Sequence, residues 1–177
     1  MEQLSGTLSS AAFAISVLGG VHDLLTRRIP NWLTFPAAAL GLIAQIWLAG
    51  FAGLLDGFLG LLLGFALFFP IYLFGHMGAG DVKLQMAVGA WLGWWLGLHV
   101  AVGAVILGAA YALVEIIFRG RLVAVVKNTY QFLRSLLVPG LVVEKLKVDE
   151  KRKFAFGICI AGAVAGVIWM RHTGRLP

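Results

Sequence analysis

Long apolar runs alternate with short polar, charged or glycine-rich stretches along the 177 residues of the chain. A helix needs about 20 apolar residues to cross a bilayer, and six runs approach that length. They predict six spans, at Leu8–Leu25, Trp32–Ala49, Leu54–Phe74, Val82–Leu98, Val100–Phe118 and Phe154–Met170. Between the last two, Leu122–Leu137 has its apolar and polar residues on opposite sides of a helical wheel, which predicts an amphipathic helix lying on the membrane. The pattern therefore predicts an all-α, polytopic membrane protein with one transmembrane domain over residues 1–177.

Glycines at intervals of four residues predict faces on which neighbouring helices pack closely. The third span carries two such pairs, the fourth span three such glycines and the sixth span one pair: Gly53/Gly57, Gly60/Gly64, Gly89/Gly93/Gly97 and Gly162/Gly166. In the fourth span this spacing predicts one smooth helix face.

Composition supports the membrane assignment. The chain is 60% hydrophobic and 12% charged, with a mean hydropathy of +0.93, which exceeds what a soluble domain of this size needs. The first ten residues carry Glu2 but neither lysine nor arginine, so we expect the first run to remain a span rather than a cleaved signal peptide. The single cysteine, Cys159, excludes an intrachain disulfide and a cysteine-based zinc site, and a buried thiol is expected.

The formal net charge of +6 is distributed unevenly. With the N-terminus outside, twelve of the fourteen Lys and Arg residues fall on one face of the membrane, and only Arg171 and Arg175 on the other. This asymmetry predicts a cytoplasmic face and two termini outside the cytoplasm. The charge thus indicates orientation in a lipid bilayer rather than binding of nucleic acid, and the amphipathic helix is expected on the cytoplasmic side.

The first candidate for a functional residue lies in Gly75–Leu84, where three glycines and Asp81 interrupt the apolar pattern. Taken alone, Asp81 fits equally well a first-turn acid that favours the helix dipole and a functional carboxylate at membrane depth. A second acid, Asp23, ends the first span on the same predicted side. Two carboxylates at one partly dehydrated site can hold a shared proton near neutral pH. An aspartic protease uses that arrangement to activate water and to polarise the scissile carbonyl.

Three other chemistries fit the residues less well. His22, Asp23, His76 and Asp81 are candidate metal ligands, but adjacent helical residues point about 100° apart and no HExxH motif is present, so no metal or other cofactor is expected. A serine triad lacks its nucleophile elbow. A coupled transporter typically places its acids near mid-span, within broken helices of paired repeats.

The two acidic segments resemble the motifs of the type IV prepilin peptidase family, the GxGD intramembrane aspartyl proteases. Asp23 is followed by Arg28-Ile29-Pro30-Asn31 and Leu33-Thr34, and the second motif is Gly78-Ala79-Gly80-Asp81-Val82-Lys83-Leu84. The resemblance in span order and motif position extends to about Phe118. It implies that Asp23 and Asp81 are the catalytic pair of a leader peptidase in the inner membrane, with its active site at the cytoplasmic face. The implied partners are prepilin-like precursors and the bilayer.

The long members of this family also methylate the new N-terminus and carry a cytoplasmic insert with paired cysteines. That insert is absent between Asp23 and Trp32, which puts methyltransferase activity in doubt. The layout resembles the short peptidases of Flp/Tad-type pilus systems and the archaeal preflagellin peptidases. The sequence leaves the oligomeric state open. The alternative to a peptidase is a non-enzymatic transporter, or a pilus or secretion assembly component, that uses the two aspartates.

Neighbouring residues of the two motifs receive supporting roles. Gly78 and Gly80 allow close backbone approach, and Pro30 and Asn31 shape the turn into the second span. Lys83 has three open roles: it biases the acid pair, meets an acid of the substrate, or anchors the cytoplasmic face. Three further assignments complete the set: Arg27 and Arg28 bind anionic lipid, Asp56 is a solvated end-of-helix acid, and Glu115 pairs with Arg119.

Overall fold

The computed structural model describes residues 2–73, 77–118 and 155–176, without the side chains of residues 2–5, 115 and 116. These residues form four helices and no strand: α1 (Glu2–Thr26), α2 (Asn31–Leu73), α3 (Ala79–Phe118) and α4 (Gly157–His172). The prediction of an all-α chain is therefore confirmed for the described residues.

Three stretches are long and apolar enough to cross a membrane, Gly6–Thr26, Asn31–Leu73 and Ala79–Val114, and α4 is a shorter apolar helix. Large apolar side chains remain exposed along all four helices, among them Leu25, Trp47 and Phe118. Such a surface is stable against lipid rather than water. The six-span count stays a prediction. The amphipathic helix at Leu122–Leu137, the Glu115–Arg119 pair and His76 all lie outside the described residues or side chains.

The chain groups into two compact units, one of Met1–Leu107 with Lys153–Pro177 and one of Gly108–Arg152. The described part of the second unit, residues 108–118, is the C-terminal end of α3. Helices α1, α2 and α4 and the part of α3 up to Leu107 belong to the first unit. The single domain over residues 1–177 stays a prediction.

A glycine in the left-handed region breaks α2 at Gly50 (φ 62°), between the predicted second and third spans, which end at Ala49 and begin at Leu54. We name the two parts α2a (residues 31–49) and α2b (residues 51–73). A Cβ atom on Gly57 would lie 3.1 Å from Gln45 Cγ and 3.3 Å from Leu42 Cδ2, so α2b folds back along α2a. The predicted glycine face of α2b is buried, since Gly53, Gly57, Gly60 and Gly64 all belong to the buried residues of α2.

A second break divides α3 at Gly93 (φ 77°), into α3a (residues 79–92) and α3b (residues 94–118). The Gln85 side-chain amide donates to the Gly97 carbonyl (Nε2···O 3.2 Å), and a Cβ on Gly97 would lie 3.3 Å from Gly89 Cα. The prediction that span four continues to Leu98 is therefore wrong. Gly89, Gly93 and Gly97 do not form one smooth helix face, because the chain reverses between them.

Asp56 has a structural partner at this second break. Its Oδ1 accepts a hydrogen bond from the Trp94 backbone N–H (3.2 Å), and a Cβ on Gly93 would collide with the same carboxylate. Asp56 thus satisfies a free donor at the start of α3b, as a capping residue does. Asp56, which the sequence predicts to be a solvated acid at the end of its own helix, therefore caps a different helix, α3b.

Backbone contacts hold α2b against α3a. A Cβ on Gly60 would meet the Gly89 carbonyl oxygen, and a Cβ on Gly64 would lie 2.9 Å from the Gln85 carbonyl oxygen. Helices α1 and α4 run antiparallel, with Gly20 against Gly157 at one end and Arg171 Nη1 3.3 Å from Ser9 Oγ at the other. The buried core between the helices consists largely of aliphatic side chains and includes Phe68, Leu84, Val88, Ile160 and Val164. Cys159 is buried, as the sequence predicts.

Candidate active site

The turn after α1 is fixed by hydrogen bonds within its own sequence. The Arg27 N–H donates to the Asp23 carbonyl (2.8 Å), and Arg27 then adopts a left-handed conformation (φ 56°) that ends the helix. The Arg28 carbonyl accepts bonds from Thr26 Oγ1 (3.0 Å) and His22 Nδ1 (2.8 Å). Arg28 contributes this backbone oxygen, while its side chain is exposed. His22 is therefore occupied in shaping the turn, a role that the sequence analysis missed.

Pro30 opens α2a, because its carbonyl accepts from the Leu33 N–H (3.2 Å) and the Thr34 N–H (3.4 Å). Proline suits this place, since its φ is preset and a helix start needs no N–H from it. Pro30 therefore lies at the turn into α2, and its role in the site stays a prediction.

Asp81 lies in the first turn of α3a. Its Oδ2 accepts the Gly78 N–H (3.1 Å), while the Asp81 N–H donates to the Gly78 carbonyl (3.1 Å). This reciprocal pair resembles a capping box, in which the third helical residue reaches back to the residue before the helix. Asp81 is only 4% exposed, and its Oδ1 has no hydrogen-bond partner among the described residues. One carboxylate oxygen thus caps the helix, and the other is available to a group outside the described residues.

Asp23 is 6% exposed, and its Oδ2 accepts the Gly157 N–H at the start of α4 (3.3 Å). This bond requires α1 and α4 to approach closely. A Cβ on Gly20 would lie 3.0 Å from the Gly157 carbonyl oxygen, and a Cβ on Gly157 would lie 3.1 Å from Gly20 Cα. Gly20 and Gly157 are therefore functional candidates that sequence reasoning missed, because 134 residues separate Asp23 from its donor.

Two contacts bring the acidic segments together. Leu84, one turn after Asp81, fills the space beside Gly19, where a Cβ would lie 2.8 Å from Leu84 Cδ1. Gly80 contacts Ile29 in the turn after α1, where a Cβ would lie 2.9 Å from Ile29 Cβ. The structure thus brings together the two segments that carry the predicted acids, and both carboxylates are buried.

Lys83 connects the same two segments. Its Nζ donates to Asn31 Oδ1 (2.8 Å) and lies 5.2 Å from the centre of the Phe35 ring. None of the three roles left open by the sequence includes this contact. Asn31 is exposed and Lys83 half-buried, so the contact lies at the rim of the site.

Among the described residues, no group of three or more His, Cys, Asp and Glu side chains is arranged to hold a metal ion. The candidate ligand His22 bonds to Arg28, and His76 lies outside the described ranges. The site therefore offers two carboxylates and backbone donors.

Comparison with known proteins identifies relatives of one kind. A prepilin leader peptidase/N-methyltransferase of Burkholderia pseudomallei is 35% identical over 122 residues, which are 65% of this chain and 38% of the relative. A protein of the same name from Aeromonas hydrophila is 39% identical over 79 residues, 41% of this chain and 27% of the relative. The Escherichia coli protein of that name is 31% identical over 113 residues, 60% of this chain and 50% of the relative.

In each case the matched region spans half of the curated relative or less. No solved structure matches the chain. The family model of the type IV leader peptidases matches residues 10–113, more than half of the chain, and this region contains both Asp23 and Asp81. The chain therefore belongs to the type IV leader peptidase family.

Proposed function

We propose that this protein is an intramembrane aspartyl endopeptidase. It removes the short leader of prepilin-like precursors, such as type IV pilins, pseudopilins or Flp pilins, at the cytoplasmic face of the inner membrane. Asp23 and Asp81 are its catalytic pair. The observation that carries the proposal is the packing of two separate segments that each hold a buried carboxylate, with Asp81 Oδ1 unpartnered among the described residues.

The reaction needs the two carboxyl groups in different protonation states. The ionised group takes a proton from a water molecule, and the resulting hydroxide attacks the scissile carbonyl carbon. The protonated group donates a hydrogen bond to the carbonyl oxygen and later gives its proton to the leaving amine. Two acids at one dehydrated site favour this singly protonated pair, because ionising both brings like charges together away from water.

The proposed membrane arrangement has six spans. The breaks at Gly50 and Gly93 support it, since they divide α2 and α3 into four shorter helices. With α1 and α4 these make six helical segments, and the excess of positive charge on one face orients them. Asp23 then ends the first segment and Asp81 begins the fourth, both at the cytoplasmic side of the membrane.

The test is co-expression with a tagged prepilin-like substrate, read by gel shift and by the mass of the new N-terminus. We expect Asp23→Asn and Asp81→Asn each to abolish cleavage, because asparagine keeps the shape and removes the ionisation. Asp56→Asn is the matched control. It makes the same chemical change in an acid that caps α3b, and its amide oxygen still accepts the Trp94 N–H.

Membrane-fraction yields of all three variants show whether insertion is intact. Substantial cleavage by either active-site variant contradicts the proposed pair. Loss of substrate flux or of complex assembly, without any cleavage by the wild type, favours the transporter or assembly component instead. The mass also reports whether the new N-terminus carries a methyl group.

A further inference from the structure

The contact between Lys83 and Asn31 joins the two segments that carry the acids. Lys83 lies two residues after Asp81 on α3a, and Asn31 is the first residue of α2a. Their side chains meet at 2.8 Å, and Phe35, one turn along α2a, presents its ring to the same ammonium at 5.2 Å. An ammonium gains from both an oxygen acceptor and an aromatic face.

The turn between α1 and α2a is bonded to α1 on its other side. His22 and Thr26 both hold the Arg28 carbonyl, and the Arg27 N–H returns to the Asp23 carbonyl. The turn is therefore an extension of the helix end that carries Asp23. A residue that fixes this turn against α3a also fixes Asp23 relative to Asp81.

Two contacts perform that task. Gly80 lies against Ile29 through apolar contact, which allows sliding, whereas the Lys83–Asn31 hydrogen bond has a defined direction and length. The hydrogen bond thus sets the register of the two segments.

We propose that Lys83 is a positioning residue that acts through Asn31 to hold the Asp23 segment in register with the Asp81 segment. The inference rests on the proposed peptidase function. It assigns Lys83 a partner within the protein rather than an acidic group of the substrate or a lipid headgroup.

A double-mutant cycle in the full-length protein tests the inference. Lys83→Met and Asn31→Ala each remove the contact, and the pair of changes is combined in one chain. Because the bond lies at the exposed rim of the site, we expect each single variant to lower kcat roughly threefold to tenfold, with KM near the wild-type value. The kcat of the double variant is expected to be no lower than that of the less active single variant.

Conservative variants distinguish positioning from loss of structure. Lys83→Arg keeps a charged donor that also stacks on an aromatic ring, and Asn31→Asp keeps the acceptor oxygen. Both are expected to retain most of the wild-type kcat. Arg175→Met is the matched control, since it removes another cation held over an aromatic ring, 5.1 Å from the Trp169 ring centre, and should leave kcat unchanged.

Other outcomes overturn the inference. If Lys83→Met raises KM while Asn31→Ala has no effect, Lys83 binds the substrate. If its effect varies with the anionic lipid content of the vesicles and not with Asn31, Lys83 is a membrane anchor.

The same cycle is also read by thermal unfolding of the four proteins in detergent, which does not depend on activity. Additive losses there contradict the contact itself. A wild type that shows no cleavage contradicts the proposed function, while the unfolding cycle still decides whether Lys83 and Asn31 are coupled.

Discussion

Replacing Gly157 by alanine inserts a methyl group between α1 and α4, at the point where Asp23 receives its backbone hydrogen bond. The new Cβ would lie 3.1 Å from Gly20 Cα and 3.4 Å from Asp23 Cβ. Carbon atoms pack best at about 3.5–4.0 Å, so the two helices must separate by a few tenths of an ångström. The N···O distance is already 3.3 Å, and such a displacement carries it beyond hydrogen-bond range.

The expected loss follows from that broken bond. A hydrogen bond to a charged acceptor contributes about 1.5–3 kcal/mol, and about 1.4 kcal/mol corresponds to a factor of ten in rate. We therefore expect Gly157→Ala to lower kcat by about tenfold or more. Gly20→Ala should act similarly, because its Cβ would lie 3.0 Å from the Gly157 carbonyl oxygen, a backbone atom that no side-chain rotation can move.

The assay is leader cleavage by purified protein at saturating substrate, with the thermal midpoint measured in parallel. Gly166→Ala, on the same helix, is the control, since its Cβ would have nothing within 4 Å. A wild-type kcat for Gly157→Ala would refute the role of α4 at the site. An equal loss in Gly166→Ala would mean that the defect comes from helix α4 in general.

Two further predictions follow from the contacts. Asp56→Ala removes the acceptor for the Trp94 N–H and should lower the stability by about 0.5–2 kcal/mol, measured by thermal unfolding, while Asp56→Asn stays near wild type; equal midpoints for the two variants would argue against the cap. Cleavage should be insensitive to metal chelators, because carboxylates activate water without a metal ion; inhibition that added zinc reverses would contradict the aspartyl mechanism.

Local pattern predicted the parts of the fold that depend on neighbours in sequence. Gly50 breaks α2 between the predicted second and third spans, and Pro30 opens α2a, where proline's fixed φ suits a helix start. Gly93 was missed, because it lies within an apolar run whose glycine spacing also suits a packed helix face. The left-handed backbone of Gly93 is evident only in the structure, where Asp56 of α2b caps the helix that follows.

For the candidate site, the sequence predicts the two acids but not the contacts around them. Equal depth on one side of the membrane indicates that Asp23 and Asp81 can meet, but it does not indicate what holds them. The Gly157 donor belongs to a helix that begins 134 residues after Asp23, so no sequence spacing points to it. His22 and Thr26 did carry a local pattern, since they lie four residues apart on the last turn of α1 and both reach the next loop.

The two segments that carry the acids are complementary halves of one contact. In the first, Ile29 receives Gly80, Pro30 starts the helix and Asn31 accepts from Lys83. In the second, Gly78 gives its N–H to Asp81, and a Cβ there would lie 3.2 Å from the carboxylate oxygen that it binds. Each close-packed glycine and each polar side chain named here thus has a contact or hydrogen-bond partner in the other segment or in its own. The residues around Asp81 meet two requirements at once: the first helical turn uses one carboxylate oxygen as an acceptor, and close packing on the neighbouring turn leaves the other oxygen without a hydrogen-bond partner among the described residues.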